Sequence, residues 1–184
     1  MAENFTRGVA ADEAVTLREM KDYLLVTHNE DDALIERLIR AATDEFERYT
    51  DLSVIVREHT MSFDPLSRSG SSALRGGKVR SVTSVNLTDS DAVATPVGAS
   101  DVVLSAGEYT ASLALSRRYV WPLGVRGMTV VYEAGLGTDH RDVPEGVRQA
   151  IMDLAAFHYE HRGTDVEVPK TIMNQMARFR VAWF

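Results

Sequence analysis

Few side chains in this sequence are spaced to do chemistry, and each such grouping also has a plainer structural reading. His158 and His161 stand on either side of Glu160, near the end of a helical pattern. That spacing could look like a pair of imidazole ligands for a metal. Zinc sites draw on three or four protein ligands at fixed spacing, and no third ligand accompanies these. A partly buried His158 and a solvated His161 are therefore expected, with no metal site. Gly135-Leu136-Gly137 lies between a strand pattern and a helix pattern, where phosphate loops occur. It lacks the third glycine of a dinucleotide fingerprint and the Gly-Lys-Ser/Thr of a P-loop, so it reads as a corner turn. Asp31, Asp32, Asp44 and Glu45 offer carboxylates for acid–base work. At a helix start and on an exposed helix face, however, carboxylates are ordinary helix chemistry. No serine sits in a Gly-x-Ser-x-Gly elbow. The chain shows no catalytic constellation, and no cofactor is expected.

The last fifteen residues are chemically distinct in another way. Lys170 to Phe184 carries Lys170, Arg178 and Arg180 but no Asp or Glu, in a chain of formal net charge −7. It also holds Ile172, Met173, Met176, Phe179, Val181, Trp183 and Phe184, set off by Gly163 and Pro169. As a helix, Ile172, Met173, Met176 and Phe179 form an apolar stripe that folds back on the same domain. As a binding segment, the Arg, Met and aromatic side chains are the types enriched at interface anchors. Both arrangements fit the residues. A second cationic stretch, the Ser/Gly/Arg-rich run Pro65–Gly77 with Arg68, Arg75 and the following Lys78 and Arg80, reads as a mobile loop.

These groups hang on elements that the pattern of apolar residues outlines. Residues 1–14 are small and polar and read as a flexible N-terminal arm. Thr16-Leu17-Arg18-Glu19 has capping-box spacing and opens a helix over about 17–25. Asn29 to Asp32 opens a second, about 30–50, with Leu34/Ile35, Leu38, Ala41/Ala42, Phe46 and Tyr49 at helical steps. Its exposed face is expected to be acidic, with Glu36, Asp44, Glu45 and Glu47. Period-two alternation then predicts strands at Ser53–Phe63, Val79–Thr88, Glu108–Leu115, Arg117–Trp121 and Val125–Ala134. The last pair would be joined at Pro122-Leu123-Gly124. Ser90–Ala106 reads as irregular. Pro144 opens a helix over about 144–162. The fold class is α+β, with N-terminal helices and one C-terminal helix packed on a small block of antiparallel strands between 53 and 134. An extended tail over 166–184 completes it.

Composition narrows the class further. At 184 residues, 45% apolar and 26% charged, the chain suits one globular domain. The absence of cysteine excludes disulfides and thiolate chemistry and fits a reducing compartment. Apolar runs are far below the roughly 18 residues a membrane span needs. The residues Met1 to Phe5 do not resemble a signal peptide. A soluble intracellular protein is expected. The acidic balance argues against coating nucleic acid, which relies on Lys and Arg.

Taken in order, the pieces resemble the head–tail connector, or adaptor, proteins of long-tailed bacteriophages and gene transfer agents. The likeness runs from about Val15 to Val181. It rests on Leu17–Leu24, Asp31-Asp32 before Leu34-Ile35 and Leu38-Ile39-Arg40-Ala41-Ala42, and on Tyr49-Thr50-Asp51, where the family often has glycine in the third place. It continues through Val79–Val85, Tyr109, Val130-Val131-Tyr132-Glu133-Ala134-Gly135-Leu136-Gly137, Val143-Pro144, Ala150-Ile151, Tyr159–Arg162, Val168-Pro169 and Phe179-Arg180-Val181. Leu74-Arg75-Gly76-Gly77-Lys78 and the terminal Trp183-Phe184 depart from the family pattern.

The resemblance implies a structural virion protein without catalysis. Residues 15–165 would form the connector domain, and 166–184 a portal-binding tail using Ile172, Met173, Met176, Arg178, Phe179, Arg180, Trp183 and Phe184. Its partners would be further copies of itself in a ring, commonly of twelve, the portal protein, and a stopper or tail-terminator protein. DNA would pass through the channel without sequence-specific binding, and no membrane is involved. Glu36, Asp44, Glu45 and Glu47 would face the channel, while Arg68, Arg75 and Lys78 would touch a neighbouring subunit or the stopper. The place implied is the virion neck, assembled in the host bacterial cytoplasm. Competing readings are a stopper or tail-completion protein and a small hydrolase or nucleotide-binding enzyme.

Overall fold

The computed structural model describes residues 2–64, 71–162 and 166–181. Chain contacts divide it into two compact units. One contains the N-terminal strand and the chain from Arg57 to Gly135; the other runs from Ala10 to Val56 and resumes at Leu136.

The second unit is helical. α1 (Leu17–Leu24) starts at the expected capping box: the Glu19 amide donates to Thr16 Oγ1 at 3.3 Å, and the Thr16 amide to Glu19 Oε2 at 2.9 Å. These bonds satisfy backbone donors that a helix start otherwise leaves free. Burial pushes the Glu19 carboxyl up, but the Thr16 bonds and the Arg148 guanidinium outweigh it and hold the group below its ordinary value. α2 (Asp32–Thr50) buries Ile35, Ile39, Ala42 and Phe46 on one stripe, and α3 (Glu145–Glu160) buries Val147, Ala150, Ile151, Leu154 and Ala155. The stripes follow the helical period, so the two helices close a core between them. At the Gly135–Gly137 corner the chain bends, and the Leu136 and Gly137 amides donate to Ser53 O and Val54 O. A Cβ on Gly137 would lie 2.7 Å from Val143 N, so only glycine fits this close approach.

The first unit is built mainly of strands. β2 (Arg57–Asp64), β4 (Val79–Asp89), β5 (Ala94–Pro96) and β8 (Val125–Ala134) join β1 (Ala2–Arg7) in an antiparallel sheet ordered β1-β2-β8-β4-β5. β3 (Ser71–Leu74), β6 (Val102–Ala106) and β7 (Ala111–Leu115) form a second antiparallel sheet ordered β3-β7-β6. Inward side chains of both sheets, among them Met61, Phe63, Leu74, Leu87, Leu113 and Tyr132, make one core cluster. This is the α+β class expected.

Several boundaries differ from the sequence reading. Residues 2–7, expected in a loose arm, form β1 and pair with β2 from Ala2↔Asp64 to Arg7↔His59. Arg117–Trp121 is not a strand; a turn in which the Tyr119 amide donates to Ser116 O occupies it. Ser90–Ala106 is more ordered than expected, holding β5, a short 3-10 turn at Ala99–Asp101 and β6. β3 falls within the expected loop, of which residues 65–70 lie outside the described residues. The stretch after Pro169 is a helix, α4 (Lys170–Ala177), where an extended tail was expected.

Candidate functional site

The C-terminal segment folds back onto its own unit. α4 is preceded by Pro169 as its N-cap, whose carbonyl accepts the Met173 amide at 3.1 Å. Met176 is fully buried, and Ile172, Met173 and Phe179 are half-buried beside it. The Phe179 ring lies 6.0 Å from that of Phe46, and a Cβ on Gly146 would meet Phe179 Cζ at 3.2 Å. The close contact at Gly146 lets Phe179 sit over the first turn of α3. The Arg180 guanidinium lies over the Tyr49 ring at 5.6 Å, and the Val181 amide donates to Thr50 O at 3.1 Å. Phe46, Tyr49 and Thr50 share a side of α2 because they are three and four residues apart. The last turn of α2 thus receives the segment.

Of the residues assigned to partner binding, Met176 faces the interior and contributes to the segment's own docking. Lys170, Thr171, Asn174, Ala177 and Arg178 form the exposed face of α4, and Arg180 is exposed beyond it. Trp183 and Phe184 lie outside the described residues. At this same C-terminal end of α2, Asp51 turns the chain with φ 63, the left-handed conformation glycine adopts most easily. This accounts for the position where the resembled family often carries glycine.

The acidic face expected on α2 is not there. Glu47 is 2% exposed, and its Oε1 accepts the Val54 amide at 2.8 Å, holding the chain that leaves the helix. Glu45 is half-buried with Oε2 3.1 Å from His158 Nε2, and Glu36 is half-buried. Among the four carboxylates, Asp44 alone is exposed, and it shares that face with Arg37, Arg40 and Arg48. The exposed face therefore carries more positive than negative charge. His158 is explained by its Glu45 partner, and His161 Nδ1 approaches Phe157 O at 2.9 Å while its ring stacks on Phe157. Among the described residues no group of three or more potential metal ligands occurs.

In the strand unit, Lys78 is exposed. Arg75 instead packs over the Phe5 ring at 5.2 Å, and its carbonyl accepts the Tyr132 hydroxyl at 2.9 Å. Arg68 lies outside the described residues. The sequence reading missed the segment between β7 and β8. There Val120 is 85% and Leu123 99% exposed, and Trp121 is 42% exposed with its ring edge-on to Tyr119. The adjacent Arg-Arg-Tyr-Val-Trp run with Pro122 does not alternate, which is the signal that separates it from a strand. His59 was also missed as a core group. It is buried between Phe5 and Tyr132, and burial, with Arg57 and Arg7 nearby, depresses its pKa to about 4.

Comparison with known proteins follows the same outline. The model of a family described as head completion protein matches residues 13–170. Three solved assemblies contain chains similar to this one over nearly their whole length. The neck of an empty gene transfer agent (GTA) particle computed with C6 symmetry gives a TM-score of 0.81 at 24% identity, covering 100% of this chain and 97% of that one. The virion of a native GTA particle gives 0.80 at 24%, covering 98% and 96%. The neck of a native GTA particle computed with C12 symmetry gives 0.76 at 25%, covering 100% and 97%. No curated protein matches.

Proposed function

Because the chain belongs to the head completion protein family, we propose that it is the head–tail connector of a phage or GTA neck. It is a structural virion protein and not an enzyme. In this reading, twelve copies form a ring between the portal and a stopper or tail-terminator protein, and the ring extends the DNA channel. The observation that carries the proposal is the full-length match to chains in GTA particles, including a neck computed with C12 symmetry. A net charge of −7 suits a subunit that DNA passes without adhering.

The C-terminal segment is the portal-facing part of this proposal. With Met176 holding α4 in place, the face left for the portal is Lys170, Asn174 and Arg178, continued by Arg180. Ile172, Met173 and Phe179 supply apolar edges. Repetition around a ring multiplies a modest contact into firm attachment. Negative-stain images of the chain mixed with portal rings test the assignment. The expected result is an added axial ring that is lost when Lys170–Phe184 is deleted. Attachment to the tail side, with portal binding indifferent to that deletion, would instead identify a stopper.

A further inference from the structure

Two exposed patches are complementary in chemistry, and the second borders the portal-facing side of α4, sharing Ile172, Asn174 and Arg178 with it. The first is the turn from Ser116 to Gly127. It presents Val120, Trp121 and Leu123 beside exposed Arg117, Arg118 and Arg126, and this stretch contains no Asp or Glu. Trp121 is braced by Tyr119 with ring centroids 5.9 Å apart, so the anchor is ordered before it meets a partner. Trp, Tyr and Arg are the side chains that dominate interface energetics.

The second patch is a groove in the helical unit. Leu24, Leu25, Phe157, Val166 and Ile172 give it an apolar floor and rim, with Leu25 87% and Val166 49% exposed. Glu160 and Glu167 are exposed on it, Asp153 is half-buried with its carboxylate accepting the Tyr23 hydroxyl at 2.5 Å, and His161 and Arg178 also line it. Carboxylates outnumber the guanidinium there.

We propose that the Val120–Leu123 loop of one copy docks in the Leu25/Val166/Glu160 groove of the next copy. This rests on the ring reading above and names the surfaces that would build it. Charge selects the pairing. Two loops face to face would oppose three arginines with three, and two grooves would oppose Glu160 and Glu167 with their own kind. Loop against groove joins apolar to apolar and cation to carboxylate. Two different patches meeting head to tail form a heterologous contact, the kind that builds a ring when its rotation closes.

Charge reversal tests the pairing in the full-length chain. Arg117→Glu/Arg118→Glu and, separately, Glu160→Lys/Glu167→Lys should each weaken self-assembly about tenfold, read by sedimentation and by rings on portal. All four substitutions in one chain should recover most of the loss. Because the chain has no cysteine, Leu123→Cys can be paired with Leu25→Cys or with Val166→Cys. Oxidation should then give a ladder of cross-linked copies only when both positions are substituted. Cross-linking by Leu123→Cys alone would overturn the head-to-tail pairing. So would a four-fold variant as defective as its parents, or an intact ring that has lost only its tail-side partner. In those cases wild-type rings still stand and the connector reading survives. If the wild-type chain forms no ring, alone or on portal, the connector reading fails and this pairing with it.

Discussion

Met176→Ala should release α4 without unfolding the helical unit. An eight-residue helix is well below the roughly 12–15 residues at which isolated helices become even marginally stable in water, so α4 is held by docking. Fully burying a methionine is worth about 1.5–3 kcal/mol. The Phe46–Phe179 pair adds about 0.5–1.5 kcal/mol, and the Val181 amide bond to Thr50 about 1 kcal/mol. Ordering the segment offsets much of this sum. Met176 has no exposed surface, and truncating such a side chain to alanine costs about 2–5 kcal/mol where the site cannot collapse. The lower end of that range applies here, because α4 can leave instead of enclosing a cavity. A loss of about 2–3 kcal/mol corresponds to about 30- to 160-fold in the docking equilibrium. Hydrogen exchange is the direct assay. The amides of Met173 and Val181 should lose about that factor of protection, while those of Ile39 and Ala42 in α2 keep theirs. Portal attachment should weaken in parallel, since the exposed face of α4 would no longer be presented. A uniform fall in protection across α2 and α3 would refute the reasoning by making α4 part of the global fold. Unchanged protection at Val181 would refute it from the other side.

Other consequences concern the two units separately. His59 is held neutral, with a pKa of about 4 against an ordinary 6.5. The unfolded chain therefore takes up a proton that the folded one refuses, and stability complete above pH 6.5 is lost as pH falls towards 4. The interval corresponds to about 3 kcal/mol. Urea unfolding at pH 7 and pH 4 should show that difference between the wild-type chain and His59→Phe, which cannot titrate there. Glu47→Ala strands the buried Val54 amide and should cost about 1–3 kcal/mol, seen as a lower urea midpoint with an unchanged slope. Gly137→Ala drives a Cβ to 2.7 Å from Val143 N and should cost about 1–3 kcal/mol or more through backbone displacement. A melting temperature equal to the wild type would show that the corner has room.

Local rules account for what was legible before folding. The capping box at Thr16 and Glu19, the apolar stripes of α2 and α3, and the alternation in β2, β4 and β8 each arise within a few residues of one another. They need no distant partner to be read. The Glu45–His158 pair and the buried Glu47 arise differently. At about 100° per residue, Glu47 stands only about 20° around α2 from Glu36, at the border of the exposed arc. A helical wheel does not show that the chain at Val54 returns to cover it. β1 had no apolar pattern of its own, and its pairing with β2 is a contact between residues more than fifty positions apart.

The same distinction governs the C-terminal segment. Charge, composition and an apolar stripe marked Lys170–Val181 as chemically separate, and its type of chemistry, apolar with cations, was set by sequence alone. Whether the stripe met its own domain or another molecule was a competition between surfaces. It was decided by Phe46, Thr50 and Gly146, residues far away in the chain whose positions exist only once α2 and α3 have packed. Local sequence determines which faces a segment has. The free energy of burying one of them depends on the partner surface that the rest of the chain brings to it.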